Sequence, residues 1–493
     1  MIGALNEGIS IILAGDTLLW LALGIIIGIV LGAIPGVGTS LGMAILLPLT
    51  APLEGQDAII LLAAIYLGGN YGGSVAAILI NAPGTAAAAA TTLDGYPMSR
   101  KGEASRALAI SAVASTLGGF IGIGFLILIS PIVTRIVLQF RSQDYFLVAL
   151  VGILMITLIA RGPLIKGVAV GGLGLLLTTV GTSPLGLQQR YTFGTVYLFD
   201  GLNFVAILIG LFAVSEMYKL MTESGGISKG EFELGNEIVP GIRDALSRPK
   251  TIVKSSLIGI GVGAIPGAGA SISTFIAYGE AVRSSGEEFG GGNPTGVAAV
   301  EACNNSTVGG SMIPTFSFGI PGGAATAVLL GGMLMHGLVP GPQLFDADLH
   351  VTYSIFFALF LGNFLILAVG LLAITRVGIV TQIDTKYIIP VVLVVALSGS
   401  YMLRTNWVDV ATVLFMGIFG YYLRENDWSV IALVLGAVLG GLMESNLNRA
   451  LQLSDGSFDI FVSRPLSIAL TLMCFLILFG GPIKRKISET VGG

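Results

Sequence analysis

Charge is what this chain has least of. Charged residues are 11% of its 493 positions, against roughly 25% in an average soluble domain. A soluble protein of this length needs more charge than that to cover its surface. The shortage excludes an ordinary cytosolic enzyme, a disordered chain and a nucleic-acid binder. The formal net charge of −4 says little about partners against that background. Cysteine is scarce too: Cys303 and Cys474 both sit in apolar runs, with no CxxC pair and no disulfide ladder, and Cys303 reads as a small packed residue. The two histidines, His336 and His350, offer no metal-ligand spacing, and no metal site is expected. Gly-x-x-x-x-Gly-Lys-Ser/Thr, HExxH and GxSxG are all missing, so the chain has no P-loop of its own and no familiar catalytic signature.

Apolar residues and glycine are what is plentiful. Apolar types make up 54% and there are 71 glycines without a Gly-X-Y period; mean hydropathy is +0.91. Membrane helices tolerate glycine and pack through small residues, so the chain reads as an all-α polytopic membrane protein. Apolar runs near the ~20 residues needed to span lie at 17–34, 107–133, 145–160, 164–182, 202–221, 351–375, 387–403, 408–423, 428–444 and 465–482. Shorter or interrupted runs lie at 40–52, 57–70, 71–93, 251–265, 268–279, 294–308 and 309–335. Every interruption holds Pro-Gly, Gly-Gly or Asn. The N-terminus has no basic region and its first apolar run continues into further spans, so no cleaved signal peptide is expected.

Lys and Arg are absent before Arg100. They cluster at Arg100, Lys101 and Arg106, at Lys229, Arg243, Arg248 and Lys250, and at Lys484, Arg485 and Lys486. By the positive-inside rule these three stretches are cytoplasmic, which puts the N-terminus outside and the C-terminus inside. The segment between Arg283 and Arg376 has no basic residue, so the 337–350 loop, with Asp346 and Asp348, is expected outside.

The chain also repeats itself. Gly32-Ala33-Ile34-Pro35-Gly36-Val37-Gly38 returns as Gly263-Ala264-Ile265-Pro266-Gly267-Ala268-Gly269. Gly72-Gly73-Ser74 before Pro83-Gly84 returns as Gly309-Gly310-Ser311 before Pro321-Gly322, with one extra residue between. The segment after the first Pro-Gly is basic and the one after the second is acidic, so the copies are expected in opposite orientation. Residues 1–221 form the first inverted-topology repeat, 222–250 a cytoplasmic linker, and 251–444 the second repeat. Residues 445–493 supply an external loop, a C-terminal helix and a basic tail. Broken helices in inverted repeats point to a secondary transporter.

The breaks carry the chemistry. Proline and glycine stop a helix at 35–40, 81–85, 266–273 and 319–323, and re-entrant helical hairpins are expected, in particular across 71–93 and 309–335. Irregular backbone at membrane depth persists only inside protein or beside a wet cavity. A helix beginning after a break aims free N–H groups and a positive dipole end at it, which suits an anion. The expected substrate-binding residues are Gly36, Gly38, Thr39, Ser40, Asn81, Pro83, Gly84, Thr85, Gly267, Gly269, Ser271, Pro321, Gly322 and Gly323. Asn304, Asn305 and Ser317 are expected at the coupling ion. No Lys or Arg lies in these segments, so a carboxylate is expected to be held without a fixed cation clamp. Gly68, Gly69, Gly72, Gly73, Gly309 and Gly310 read first as close-packing positions. Glu301 is an acid in an apolar run, functional or locally paired; Asp94 reads as a solvated interface residue, and His336 as a lone residue near a helix end.

These residues resemble a known family, the large membrane subunit of tripartite tricarboxylate transporters (TctA family). The matching text includes Gly32–Gly38; Tyr66-x-Gly68-x-x-Tyr71-Gly72-Gly73-Ser74; Asn81-x-Pro83-Gly84; and Asp94-Gly95-Tyr96-Pro97 with Lys101-Gly102-Glu103. In the second half it includes Pro266-Gly267-Ala268-Gly269, Glu301-Ala302-x-Asn304-Asn305, Gly319-Ile320-Pro321-Gly322, and His336-Gly337-Leu338 with Pro340-Gly341-Pro342. Cys303-Asn304-Asn305-Ser306 departs from the family's Ala-Asn-Asn-Ala and adds a thiol and a hydroxyl. The resemblance implies a secondary importer of carboxylates in a bacterial inner membrane. It implies two partners, a periplasmic solute-binding protein and a small membrane subunit, no cofactor, and coupling to sodium or protons. A channel for small organic anions and an intramembrane enzyme are the rival readings.

Overall fold

The computed structural model describes residues 2–13, 16–159, 164–183, 188–222, 236–372 and 385–491. Lys229 and Arg376 lie outside the described residues, as do the side chains of Lys484, Arg485 and Lys486. The first half runs α1 (Ile2–Leu13), α2 (Asp16–Ala33), α3 (Gly38–Leu46), α4 (Gly55–Ile80), α5 (Thr92–Arg100), α6 (Ala104–Val137), α7 (Ser142–Ile159), α8 (Leu164–Leu177) and α9 (Phe204–Thr222). The second half runs α10 (Ile238–Leu246), α11 (Pro249–Gly263), α12 (Gly269–Ser285), α13 (Pro294–Phe318), α14 (Ala324–Met335), α15 (Pro342–Phe345), α16 (Leu349–Leu372), α17 (Thr385–Arg404), α18 (Trp407–Glu425), α19 (Val430–Leu453) and α20 (Pro465–Val491). Among the described residues the sheet content is one two-stranded pair, Gly181–Thr182 with Gln189–Arg190.

Seven of these helices are long and apolar enough to cross a membrane. Leu128, Val394 and Phe415 are exposed on the outside of the bundle, as lipid-facing side chains must be. The protein is an all-α, multi-pass membrane protein.

Two glycine-rich stretches differ from their sequence reading. Residues 57–80 lie in one continuous helix, α4, and 294–318 in another, α13. Their Gly-Gly pairs do not interrupt them because neighbouring backbone fills the space. A Cβ on Gly72 would stand 2.2 Å from the carbonyl oxygen of Ile29, and one on Gly310 2.4 Å from that of Ile260. This is the small-residue packing of membrane helices. The segments 71–93 and 309–335 are therefore not re-entrant helical hairpins. The hairpins are instead α2–α3 and α11–α12, turning at Pro35-Gly36 and Pro266-Gly267. After α4 the chain leaves through Asn81 in the left-handed region (φ 55°). It doubles back so that the Gly84 N–H donates to Gly73 O (3.1 Å), and then makes a short 3₁₀ turn, Ala86–Ala89.

Contacts also correct the repeat register. Gly72 packs on Ile29 and Gly310 on Ile260; Gly84 packs on Gly32 and Gly73, Gly322 on Gly263 and Ser311. Gly72 thus corresponds to Gly310, Gly73 to Ser311, and the extra residue suggested by the sequence disappears. The two equivalent long helices cross antiparallel. Tyr66 Oη meets Ser311 Oγ at 3.2 Å, and Asn304 Nδ2 donates to Asn70 O at 3.1 Å.

At one end of the bundle Thr17 donates to Asp57 (2.9 Å) and Thr50 meets His336 (3.1 Å); burial holds the His336 imidazole below the usual histidine range. The other end gathers two of the three basic stretches: Arg106 bonds Asp244 (2.7 Å) and Arg248 bonds Thr295 (2.9 Å). Asp94 belongs here and is not solvated. It is buried, and its carboxylate accepts from the backbone N–H groups of Gly290, Gly292 and Asn293 (2.8–2.9 Å) and from Tyr278 Oη (3.0 Å). An ionised carboxylate has the acceptor capacity to satisfy four donors at once. It locks the turn after the first repeat's break to the loop that closes the second repeat's hairpin.

Candidate functional site

All four breaks meet around one cavity of about 460 Å³. Its wall includes Gly36, Gly38, Thr39 and Ser40 from the first hairpin and Gly267, Gly269 and Ser271 from the second; Pro83, Gly84, Thr85, Gly322 and Gly323 complete it from the two crossovers. The turns are built alike. Gly36 and Gly38 have φ of 81° and 64°, Gly267 and Gly269 of 77° and 58°, conformations in which a Cβ would be strained. Each turn delivers a helix start, α3 or α12, that carries no side-chain cap. Their first N–H groups and positive dipole ends are available to an anion. Thr39 Oγ1 is buried there with no hydrogen-bond partner among the described residues.

Two of the expected substrate residues fall elsewhere. Asn81 is exposed at the C-terminus of α4, where its left-handed backbone ends the helix. Pro321 is buried and does not line the cavity. In their place stand Tyr66 and Asn70 of α4. The Asn70 Nδ2 group is buried and unpartnered among the described residues. A polar residue on the helix face that holds Tyr66 and Gly73 is the signal that could have found it.

The cavity wall also carries cations that lie outside the break segments. Lys219 of α9 and Arg424 of α18 both line the cavity, together with Glu216. Arg424 is ion-paired to Glu216, and Lys219 Nζ stands 3.6 Å from the same carboxylate. Arg424 Nη2 also donates to Leu211 O (3.1 Å). Leu211 lies in a π-helical turn, Ile209–Val214, and such a turn loosens the regular ladder and frees carbonyls, often at functional sites. Lys219 and Arg424 lie near the ends of apolar helices, far in sequence from every break. Nothing in the break motifs points to them; their charge at the ends of apolar runs was the available signal.

Asn304, Asn305 and Ser317 are buried in α13 and do not line the cavity. Asn304 reaches it indirectly, through its bond to Asn70 O. Asn304 Oδ1, both polar atoms of the Asn305 side chain and Ser317 Oγ lack partners among the described residues. Of the glycines read as packing positions, Gly68 and Gly309 meet neighbouring backbone, whereas Gly69 and Gly73 face the side chains of Thr39 and Thr85, next to the cavity.

A bundle of apolar helices whose breaks enclose a chamber with helix N-termini, hydroxyls and two cations defines a multi-pass membrane protein with an internal anion-suited site. Residues 18–435 match the tripartite tricarboxylate transporter TctA family, and the chain belongs to that family. It is thus a membrane component of a tripartite tricarboxylate transporter, in a family of transporters rather than enzymes. The chain is 32% identical over 495 aligned positions (99% of its length and 98% of the relative's) to an uncharacterized 52.8 kDa protein in the TAR-I ttuC' 3' region of Agrobacterium vitis. It is 30% identical over 230 positions (46% of its length, 95% of the relative's) to an uncharacterized protein in the TAR-II ttuC' 3' region of the same organism. No solved structure matches.

Proposed function

We propose that the protein is the permease of an ion-coupled importer of carboxylates, tricarboxylates or related organic acids, in a bacterial inner membrane. It receives substrate from a periplasmic solute-binding protein, assembles with a small membrane subunit, and uses a sodium or proton gradient. One observation carries the reading: four chain breaks surround a single cavity that offers two uncapped helix N-termini with Lys219 and Arg424. Fixed dipole ends and a guanidinium suit several carboxylates of one substrate at once. The antiparallel crossing of α4 and α13 supports two inverted-topology repeats, 1–221 and 251–444, joined by the linker 222–250, with 445–493 completing the chain.

The test is uptake of labelled carboxylates by proteoliposomes holding the protein with its two partners. Accumulation above equilibrium under an imposed ion gradient is the expected result. Equilibration without accumulation would favour an anion channel.

Orientation is tested separately. With the N-terminus outside and the C-terminus cytoplasmic, position 100 is inside and position 347 outside. Both native thiols are buried, so Arg100→Cys and Ala347→Cys, both at exposed positions, report cleanly. In whole cells an impermeant maleimide should label only the second; labelling of both would remove the inverted arrangement.

A further inference from the structure

α13 carries one acid that the anion site leaves without a task. Glu301 is fully buried. Its Oε1 accepts from Thr91 Oγ1 (2.6 Å), and its Oε2 from Ser111 Oγ (2.9 Å) and Ser115 Oγ (3.0 Å). It makes no ion pair among the described residues. Several charged groups on the surrounding helices hold other partners. Asp94 of α5 holds Tyr278 of α12 and the 290–293 amides. Arg106 of α6 pairs with Glu103 and with Asp244 of α10, and Arg248 with Asp244. Lys254 of α11 and Arg283 of α12 pair with Glu280. Tyr71 of α4 and, on the helix of Glu301 itself, Cys303 are also buried.

Such a cage serves both states of the acid. Three hydroxyls can turn their protons to the ionised carboxylate, and one of them can rotate to accept from the protonated form. A metal cation would require those protons to turn away and the oxygens to spread; a proton requires one hydroxyl to rotate. An intramembrane acid without a cation partner is costly when charged, so its occupancy by a proton is tied to the state of its surroundings.

The cage does not line the cavity but is joined to its wall through two short links. Thr91 lies just beyond the 3₁₀ turn Ala86–Ala89, whose start contributes Ala86 and Ala87, with Thr85 before it, to the cavity. Asn304, one turn beyond Glu301, bonds Asn70 O, and Asn70 lines the cavity as well. We propose that Glu301 carries the coupling proton of carboxylate import. It takes one proton from water on the outer side while substrate is bound and returns it to cytoplasmic water after release. This rests on the ion-coupled import reading above and selects the proton over sodium. Reciprocal linkage then requires protonation at Glu301 and substrate binding to favour each other.

The test uses the full transporter in proteoliposomes, with Glu301→Gln as a fixed neutral side chain. Uptake driven by an imposed pH gradient should fall at least ~10-fold, the loss of coupling, while exchange of labelled for unlabelled carboxylate persists and loses its pH dependence. A second readout does not need transport. The infrared C=O band of a protonated carboxylic acid should titrate in the wild type and vanish in Glu301→Gln. Ser115→Ala removes one donor to the ionised form and should move the midpoint of that band upward, which keeps the test open where Glu301→Gln does not fold. A titrating Glu301 band without any carboxylate uptake would refute the import reading and leave the proton site. Unchanged gradient-driven uptake in Glu301→Gln would overturn the proposal. So would a band that persists in that variant, or a wild type that follows a sodium gradient and ignores pH.

Discussion

Arg424→Gln in the reconstituted transporter is expected to weaken apparent carboxylate affinity roughly ten- to a hundredfold. That fold-change corresponds to the loss of about 1.5–3 kcal/mol from a hydrogen bond to a charged group. Lys219→Gln should cost less, because an ammonium is a point charge without the planar fork of a guanidinium. In the structure Glu216 already occupies both cations. An incoming carboxylate must therefore displace Glu216 or share its partners, and only the difference between the two arrangements appears as affinity. Glu216→Gln removes the competitor. It should tighten substrate binding and slow release, so that uptake saturates at lower concentration and at a lower maximum rate. The Glu216→Gln/Arg424→Gln double variant controls for folding, since it removes that ion pair as a unit and leaves neither of its two members charged without the other. Wild-type affinity in Arg424→Gln would mean that helix termini and hydroxyls suffice, as the break motifs alone suggest.

The cation pair shows where sequence reasoning ends. Pro35-Gly36, Pro83-Gly84, Pro266-Gly267 and Pro321-Gly322 are legible because proline and glycine act on their own backbone. Their positions, their repetition and their suitability for an anion follow without any tertiary contact, and all four breaks do meet at one cavity. Lys219 and Arg424 reach the same cavity only because α9 and α18 pack together there, which no local pattern encodes. The Gly-Gly pairs fail for a related reason. Whether a glycine pair breaks a helix or lets another backbone approach depends on the partner, here Ile29 and Ile260. Read without that partner, 57–80 falls into two pieces and the repeat register slips by one. Asp94 looks like a solvated residue beside a basic turn. Its four donors arrive from Tyr278 and the 290–293 loop, almost two hundred positions away.

Gly84→Ala should be among the most damaging single substitutions in the chain, and Gly322→Ala clearly milder, although the two positions are equivalent in the repeat. A Cβ on Gly84 would lie 1.8 Å from the Gly32 carbonyl oxygen and 3.0 Å from Gly73 Cα. Both are backbone atoms held by the α2–α4 packing, so neither can give way. Overpacking of that kind costs roughly 3 kcal/mol or more. A Cβ on Gly322 would meet Ser311 Cβ at 2.7 Å and the Gly263 carbonyl oxygen at 3.0 Å, and the cost should be nearer 1–2 kcal/mol. Ser311 stands where the first repeat has Gly73, so Ser311→Gly removes the nearer clash by copying the first repeat. The Gly322→Ala/Ser311→Gly double variant should therefore recover the thermal stability of the wild type in detergent, less the bond between Ser311 and Tyr66. Uptake by that folded double variant then separates packing from substrate contact. If bare backbone at Gly322 faces the carboxylate, the added methyl group still blocks one donor-sized approach, and apparent affinity stays about tenfold low, near 1.4 kcal/mol. Wild-type uptake in the double variant would make Gly322 a packing residue and leave the anion to the α3 and α12 termini with Arg424.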